Sequence, residues 1–151
     1  MNSRLDALQA GIVGVKMKHL DQWNQARRDL SRRYTEELAK AGLLGPDFLV
    51  PQGVLSNVEP VYHLYIVKCE RRDALADYLA RQGIATGIYY PIPLHLQKVY
   101  QVGKHRLGYA EGDLPQSEWL SHRTIALPLF PEMTREQQDS ILQTIKNFYN
   151  P

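Results

Sequence analysis

Cysteine is nearly missing from this sequence, which carries one, Cys69, among 151 residues. A single cysteine excludes an internal disulfide framework and a zinc site built from several cysteines. The sequence also lacks an apolar run of the roughly 20 residues that a membrane-spanning helix needs, and its first residues lack the charged-then-apolar layout of a signal peptide. We therefore expect a cytoplasmic protein that has no membrane as a partner.

A strong charge of one sign is missing too. The 18 lysines and arginines against 16 acidic residues give a formal net charge of +2, which is too weak a bias to indicate nucleic acid as a partner. One predicted helix carries a cluster of arginines that is typical of a solvated face: Arg27, Arg28, Arg32 and Arg33. We expect no nucleic-acid binding.

The common signatures of an active site are absent as well. The sequence has no glycine-rich phosphate loop, no Gly-x-Ser-x-Gly elbow and no His-Glu-x-x-His motif. The five histidines are widely spaced and lack the intervals of metal ligands. We therefore predict no metal site within this chain.

What the sequence does contain is enough apolar material for one core, since 44% of its residues are hydrophobic. We predict a single domain over 1–151, with a helical pair at 1–42, a connection at 43–60 and an α+β layer at 61–150. The predicted fold class is α+β, with the long N-terminal helices packed on a three- or four-stranded sheet.

The helical pair is predicted from apolar residues at spacings of three and four. In the first helix Ser3 is the expected N-cap. Gly11 and Gly14 weaken this helix, and we expect them to mark close packing against another element. The apolar stripe of the helix consists of Leu5, Leu8, Ile12 and Val15. The second helix is predicted to start at Asp21 and to end at Gly42. We expect the pair to mediate self-association.

The remaining segments alternate between strands and helices. Strands are predicted at 61–69, 84–90 and 125–127, and the first of them is the clearest because β-branched and aromatic residues are dense in it. Helices are predicted at 72–82 and 116–123, and a last helix is predicted to follow Thr134, with Gln137 at the capping-box position. Residues 101–114 are polar and have no periodicity, which indicates a loop.

The segment 87–95 is the most informative for function. Pro91 and Pro93 restrict the backbone, and a rigid turn after a strand holds its side chains in a set direction, as a binding loop requires. Tyr89, Tyr90 and His95 would then be polar tips on an apolar platform. A well-packed turn whose aromatic rings belong to the core explains the same residues, and His63 is by the same standard better explained as a core histidine.

Five motifs in register carry a resemblance. They are Asn-Ser-Arg-Leu-Asp-x-Leu-Gln-Ala at 2–10, Tyr-His-Leu-Tyr at 62–65, Gly-Ile-x-Thr-Gly-Ile-Tyr-Tyr-Pro-Ile-Pro-Leu-His-Leu-Gln at 83–97, Gly-Asp-Leu-Pro-x-x-Glu at 112–118 and Leu-Pro-Leu-Phe-Pro-Glu-Met-Thr at 127–134. In this order they resemble the C-terminal part of the DegT/DnrJ/EryC1/StrS family, the pyridoxal-phosphate-dependent nucleotide-sugar aminotransferases. The resemblance implies the small C-terminal domain of the type I aminotransferase fold.

The resemblance also implies what this chain lacks. The family's large N-terminal domain, which holds the cofactor and supplies the Schiff-base lysine, has no counterpart here. The chain's own lysines lie outside the family's lysine motif, and a Schiff-base lysine needs desolvation or a neighbouring charge to lower its pKa. We therefore expect that the chain alone neither binds pyridoxal phosphate nor transaminates, and we assign it no catalytic residue.

Site residues are implied where positions match the family. Asn2 corresponds to an asparagine that reaches the cofactor phosphate of the partner subunit, so a homodimer is expected, and Arg4 would either bind phosphate or pair with Asp6. The Tyr-Pro-Ile-Pro-Leu-His turn at 90–95 matches the family's substrate-facing loop. Tyr90 and His95 are therefore expected to contact the nucleotide-sugar. Two further candidates for substrate contact are Tyr89, where the family commonly has histidine, and His63, for which a structural role explains the match equally well.

Three functions remain open from the sequence. The first is the substrate-side and dimerisation domain of a nucleotide-sugar aminotransferase, and the second is a stand-alone, non-catalytic protein-interaction module derived from the family. In the third, the lineage is that of relatives that are dehydratases, with histidine in place of the Schiff-base lysine.

Overall fold

The computed structural model describes residues 4–101 and 108–150. In chain order the helices are α1 (Ala7–Met17), α2 (Leu20–Lys40), α3 (Arg72–Arg81), α4 (Lys98–Gln101), α5 (Pro115–Ser121) and α6 (Arg135–Tyr149). The strands are β1 (Val50–Pro51), β2 (Tyr65–Lys68) and β3 (Thr124–Leu127), and a 3-10 turn covers Leu94–Leu96. This is the α+β fold that the sequence predicts.

The sheet has three antiparallel strands in the order β1-β2-β3. Val50 lies opposite Lys68, and Tyr65 lies opposite Leu127. The predicted strand at 84–90 is wrong: within it only Gly87 pairs with the sheet, through two backbone bonds of 3.1 and 2.8 Å to Ala126. The third strand is instead β1, which pairs with β2 at the opposite edge of the sheet and lies inside the predicted connection.

The strand predicted at 61–69 is shorter than expected and covers only Tyr65–Lys68. Tyr62 adopts a positive φ of 50°, which is outside the extended region that a strand requires. The chain therefore enters the sheet only after this residue has turned it. The positive φ could not be read from a tyrosine in an apolar run.

The core lies between the sheet and helices α2, α3 and α6. Tyr34 of α2 stacks on Tyr65 of β2 with the ring centroids 5.0 Å apart, and its hydroxyl donates to the carbonyl of Pro128 at 3.0 Å. Burial raises the pKa of the Tyr34 hydroxyl, which therefore stays protonated as a donor. Fully buried aliphatic side chains complete the core: Leu38, Val67, Leu75, Leu79, Ile125 and Ile145.

The predicted ends of two helices are confirmed. Gly42 follows α2 with a φ of 69°, which a residue without Cβ adopts without strain. Thr134 caps α6 by accepting from the Gln137 amide at 3.2 Å, while the Gln137 side chain accepts from the Thr134 amide at 2.9 Å. For α1 the prediction is wrong, because Asp6 is the N-cap and accepts from the Gln9 amide at 2.8 Å.

Helix α1 does not pack on the rest of the described chain. None of its residues is buried, and nothing lies within 4 Å of the positions that a Cβ would take at Gly11 and Gly14. The expected close packing at these glycines is therefore not found within the part of the chain that the structure describes. The apolar stripe faces solvent, with 77% of Leu8 and 52% of Ile12 exposed.

Helices long and apolar enough to cross a bilayer are not found between residues 4 and 101 or between 108 and 150.

Candidate functional site

The candidate site is the turn that follows Gly87. After pairing with Ala126, the chain leaves the sheet and presents Tyr89 and Tyr90, which are 51% and 60% exposed. Their rings lie edge to face, with centroids 5.9 Å apart, and the peptide bond between them is cis. A Cβ at position 87 would lie 2.5 Å from Cε2 of the Tyr89 ring, so a glycine is needed for this ring position.

Tyr89 and Tyr90 line a cleft of about 270 Å³. The turn supplies one wall, formed by Tyr89, Tyr90, Ile92, Pro93 and Leu94. Helix α5 and the start of β3 supply the other wall, formed by Ser117, Leu120, Ser121 and Thr124. Apolar and aromatic surface with a few hydroxyl groups is the chemistry that suits an organic ring carrying polar substituents.

His95 lies behind this cleft rather than in its lining. It is 3% exposed, and its Nε2 lies 2.9 Å from Oε1 of Glu118. Backbone amides hold the Glu118 carboxylate, since Gly112 donates to both oxygens at 3.0 Å and Leu114 donates to Oε1 at 3.3 Å. The Gly112 bonds, followed by the bond to His95, lower the pKa of Glu118.

The other described candidates, His63 and Arg4, do not line the cleft. His63 is exposed and is not among the residues that line it. Arg4 is exposed in the segment before α1, whereas Asn2 lies outside the described residues. Of the four residues predicted to contact substrate, the cleft brings Tyr89 and Tyr90 together, with His95 one residue beyond the lining residue Leu94.

The lysines of the described chain do not fit a Schiff-base site. Lys68 and Lys146 are half-buried, and the exposed ones are Lys16, Lys18, Lys40 and Lys98. Lys68 lies with Nζ 4.6 Å from the centroid of the Trp119 ring, and Lys40 pairs with Glu37 at 2.8 Å. A Schiff-base lysine needs a pKa lowered by desolvation or by a neighbouring charge, and none of these six lysines is buried.

A metal-binding cluster is not found in the part of the chain that the structure describes. Within it, no group of three or more His, Cys, Asp and Glu side chains could hold a metal ion.

The second wall of the cleft and Glu118 were missed by sequence reasoning. The wall residues Ser117, Leu120 and Ser121 follow spacings of three and one, which place them on one helical face, whereas Thr124 begins β3. That face was readable from the predicted helix at 116–123. The sequence does not show that this face lies opposite Tyr89 and Tyr90, because only a tertiary contact brings α5 and the turn together.

The family of the chain is decided by a match over almost its whole length. The sequence profile of the DegT/DnrJ/EryC1/StrS aminotransferase family matches residues 1–146. The chain belongs to this family. The resemblance read from five motifs is therefore confirmed.

Relatives in the DegT/DnrJ/EryC1/StrS family include a pleiotropic regulatory protein of Geobacillus stearothermophilus. This chain is 43% identical to it over 148 residues, which are 98% of this chain and 38% of the relative. It is 34% identical to a dTDP-3-amino-3,4,6-trideoxy-alpha-D-glucose transaminase of Streptomyces venezuelae, over 97% of this chain and 36% of that protein.

Solved structures of the family agree with the fold. DesV of S. venezuelae, solved in complex with a ketimine intermediate, superposes with a TM-score of 0.89 at 33% identity, over 100% of this chain and 38% of DesV. NtdA of Bacillus subtilis, solved with bound cofactor PMP, gives 0.83 at 30% identity, over 100% of this chain and 34% of that one. The chain thus spans a little over one third of the length of its relatives.

Proposed function

We propose that this chain is the substrate-side and dimerisation domain of a nucleotide-sugar aminotransferase. The observation that carries the proposal is the Tyr89–Tyr90 cleft, an open site of aromatic and hydroxyl chemistry in a chain of this family. Relatives named as transaminases of dTDP-linked amino sugars support the substrate class. The reaction would be transamination of a keto-sugar that is joined to a nucleotide.

The chain would work with a separate part that holds pyridoxal phosphate. Bound there, the cofactor would carry the amino group between donor and sugar. The described lysines do not fit its Schiff base, so we assign this chain no step on the cofactor and expect it to be inactive alone. Asn2 and Arg4 are its candidates for donating to the cofactor phosphate of a partner subunit.

Tyr89 and Tyr90 would form the surface on which the sugar lies. Exposed tyrosine rings give a rigid, partly apolar surface and a hydroxyl that can donate or accept a hydrogen bond. His95 would act from behind the turn, and His63 remains a candidate for a contact outside the cleft. We place this activity in the cytoplasm, in keeping with the single free thiol of Cys69.

Dimerisation and docking are assigned to α1. Large apolar side chains are exposed along this helix and directly before it: Leu5, Leu8, Ile12, Val13, Val15 and Met17. A helix that is apolar on several sides belongs in an interface or a core. The same face would serve the stand-alone interaction module, so binding of substrate, rather than self-association, separates the two functions.

The test is binding of dTDP-glucose to the purified chain, followed by NMR shifts of Tyr89 and Tyr90. Tyr90→Ala is expected to weaken binding about tenfold because the sugar loses an aromatic wall. Leu55→Ala, which changes an exposed residue that does not line the cleft, is the control and should bind like the parent. Saturating dTDP-glucose that leaves both tyrosines unshifted would favour the interaction module.

A further inference from the structure

Glu118 connects three segments around the Tyr89–Tyr90 cleft. Its side chain reaches back from α5 to the amides of Gly112 and Leu114, and across to Nε2 of His95 at 2.9 Å. His95 directly follows Leu94, which lines the cleft, while Ser117 and Leu120 of α5 line the opposite wall. The Glu118–His95 bond thus joins the two walls from behind.

The protonation of this bond follows from the surroundings of Glu118. The amide donors lower the pKa of the carboxyl group, so at neutral pH it is a carboxylate that can only accept. Nε2 of His95 must therefore carry the proton and donate it. A hydrogen bond to an ionised acceptor is stronger than a neutral one, and the burial of His95 shields it from competition by water.

The backbone of Glu118 takes part as well. Its carbonyl accepts from Oγ of Ser121 at 2.7 Å, and Ser121 is another lining residue of the cleft. The same residue therefore holds the turn through its side chain and a hydroxyl of the α5 wall through its main chain. Glu118 itself contributes no atom to the lining.

We propose that Glu118 is a positioning residue that holds the Tyr89–Tyr90 turn against α5 and so sets the shape of the cleft. What the cleft binds rests on the proposed function, whereas the contact with His95 can be tested without any ligand. The positioning role predicts that loss of the carboxylate loosens amides of the turn that do not touch Glu118.

The experiment measures amide hydrogen exchange and the His95 imidazole signals in Glu118→Ala and Glu118→Gln. The reporter amides belong to Leu96 and Gln97, which donate to Pro93 and Leu94 at 3.0 and 3.1 Å. In Glu118→Ala we expect these amides to exchange about tenfold faster and the Nε2 proton of His95 to lose its signal, because a charge-assisted bond is gone.

Glu118→Gln keeps an acceptor oxygen at the same reach but loses the charge. Because a neutral bond is weaker, we expect it to restore part of the protection, with Leu96 and Gln97 exchanging about threefold faster than in the parent. This variant decides the question if Glu118→Ala fails to fold: faster exchange than in the parent supports the role of the carboxylate, and exchange equal to the parent overturns it.

The matched control is Glu111→Ala, which removes an exposed carboxylate from the same loop and should leave both readouts unchanged. Unchanged exchange at Leu96 and Gln97 in a folded Glu118→Ala chain would overturn the proposal, as would equal effects of Glu111→Ala.

Binding of dTDP-glucose is measured on the same samples, so that the two proposals can fail separately. If the parent does not bind it, the substrate assignment fails, yet the exchange data still decide the role of Glu118. If the parent binds it, affinity should fall in Glu118→Ala together with the loss of exchange protection.

Discussion

Single positions determine where the tyrosines of the cleft point. Gly87 is held in the sheet by Ala126 and faces the Tyr89 ring at a distance that leaves no room for a Cβ. The ring belongs to a half-exposed residue, so it can move when pushed. The position of the ring therefore depends on the glycine, although the fold does not.

Gly87→Ala should displace the Tyr89 ring and leave the fold intact. The added methyl group meets Cε2 of the ring at 2.5 Å, and rotation of an exposed side chain relieves the clash more easily than a shift of the backbone. We expect dTDP-glucose binding to weaken about tenfold, while the free energy of unfolding falls by less than about 1 kcal/mol. The measurements are NMR titration and urea unfolding.

Gly53→Ala is the matched control, because nothing lies within 4 Å of its Cβ position and its φ is not positive. Equal binding by the Gly87 and Gly53 variants would contradict the role given to Tyr89.

A buried arginine of α3 forms hydrogen bonds with the segment that makes the second wall of the cleft. Arg72, at the first residue of α3, is 5% exposed and donates from Nη1 to the carbonyl oxygens of Ser121 and Thr124 at 2.9 and 3.1 Å. These carbonyls lie where α5 ends and β3 begins. The arginine thus ties the second wall of the cleft to the main helical layer.

Arg72→Met should destabilise the protein by about 2 to 3 kcal/mol, because two carbonyl groups lose their charged donor in a buried position. Arg81→Met, at the exposed end of the same helix, should change the free energy of unfolding by less than about 0.5 kcal/mol. Urea unfolding measures both. A folded Arg72→Met chain as stable as the parent would contradict the claim that the Arg72 hydrogen bonds stabilise the second wall of the cleft.

At the level of elements, the sequence predicts helices better than strands. Thr134, Gln137 and Gly42 act locally, so their capping signals could be read directly. Strand β1 has two residues, one of them Pro51, and becomes a strand only because β2 lies beside it. The cleft shows the same difference between local and tertiary signals. Its turn is a local motif and was predicted, whereas its α5 wall and the role of Glu118 depend on a tertiary contact and were not.

The whole molecule, as far as the structure describes it, leaves one helix without a partner. Helix α1 exposes its apolar side chains, and its two glycines leave open space on its surface. Such a surface costs free energy in water and is covered on association. The exposed side chains of α1 support the proposal that this helix mediates association.

The double variant Leu8→Glu and Ile12→Glu should abolish self-association at high concentration and reduce binding of a hydrophobic dye. Both side chains are exposed, so the free energy of unfolding should change by less than about 0.5 kcal/mol. Sedimentation velocity and dye fluorescence measure the effects, and Leu55→Glu is the control at an exposed leucine outside α1. A parent chain that stays strictly monomeric would contradict the assignment of α1.

The most direct test of the account is a titration of the purified chain with pyridoxal phosphate. The aldimine absorption is followed, and then borohydride reduction, intact mass and peptide mapping locate any labelled lysine. Because the described lysines are exposed or half-buried, the account predicts scattered, unsaturable labelling or none. Saturable labelling of one lysine per chain would contradict it, because the chain would then contain a cofactor site of its own.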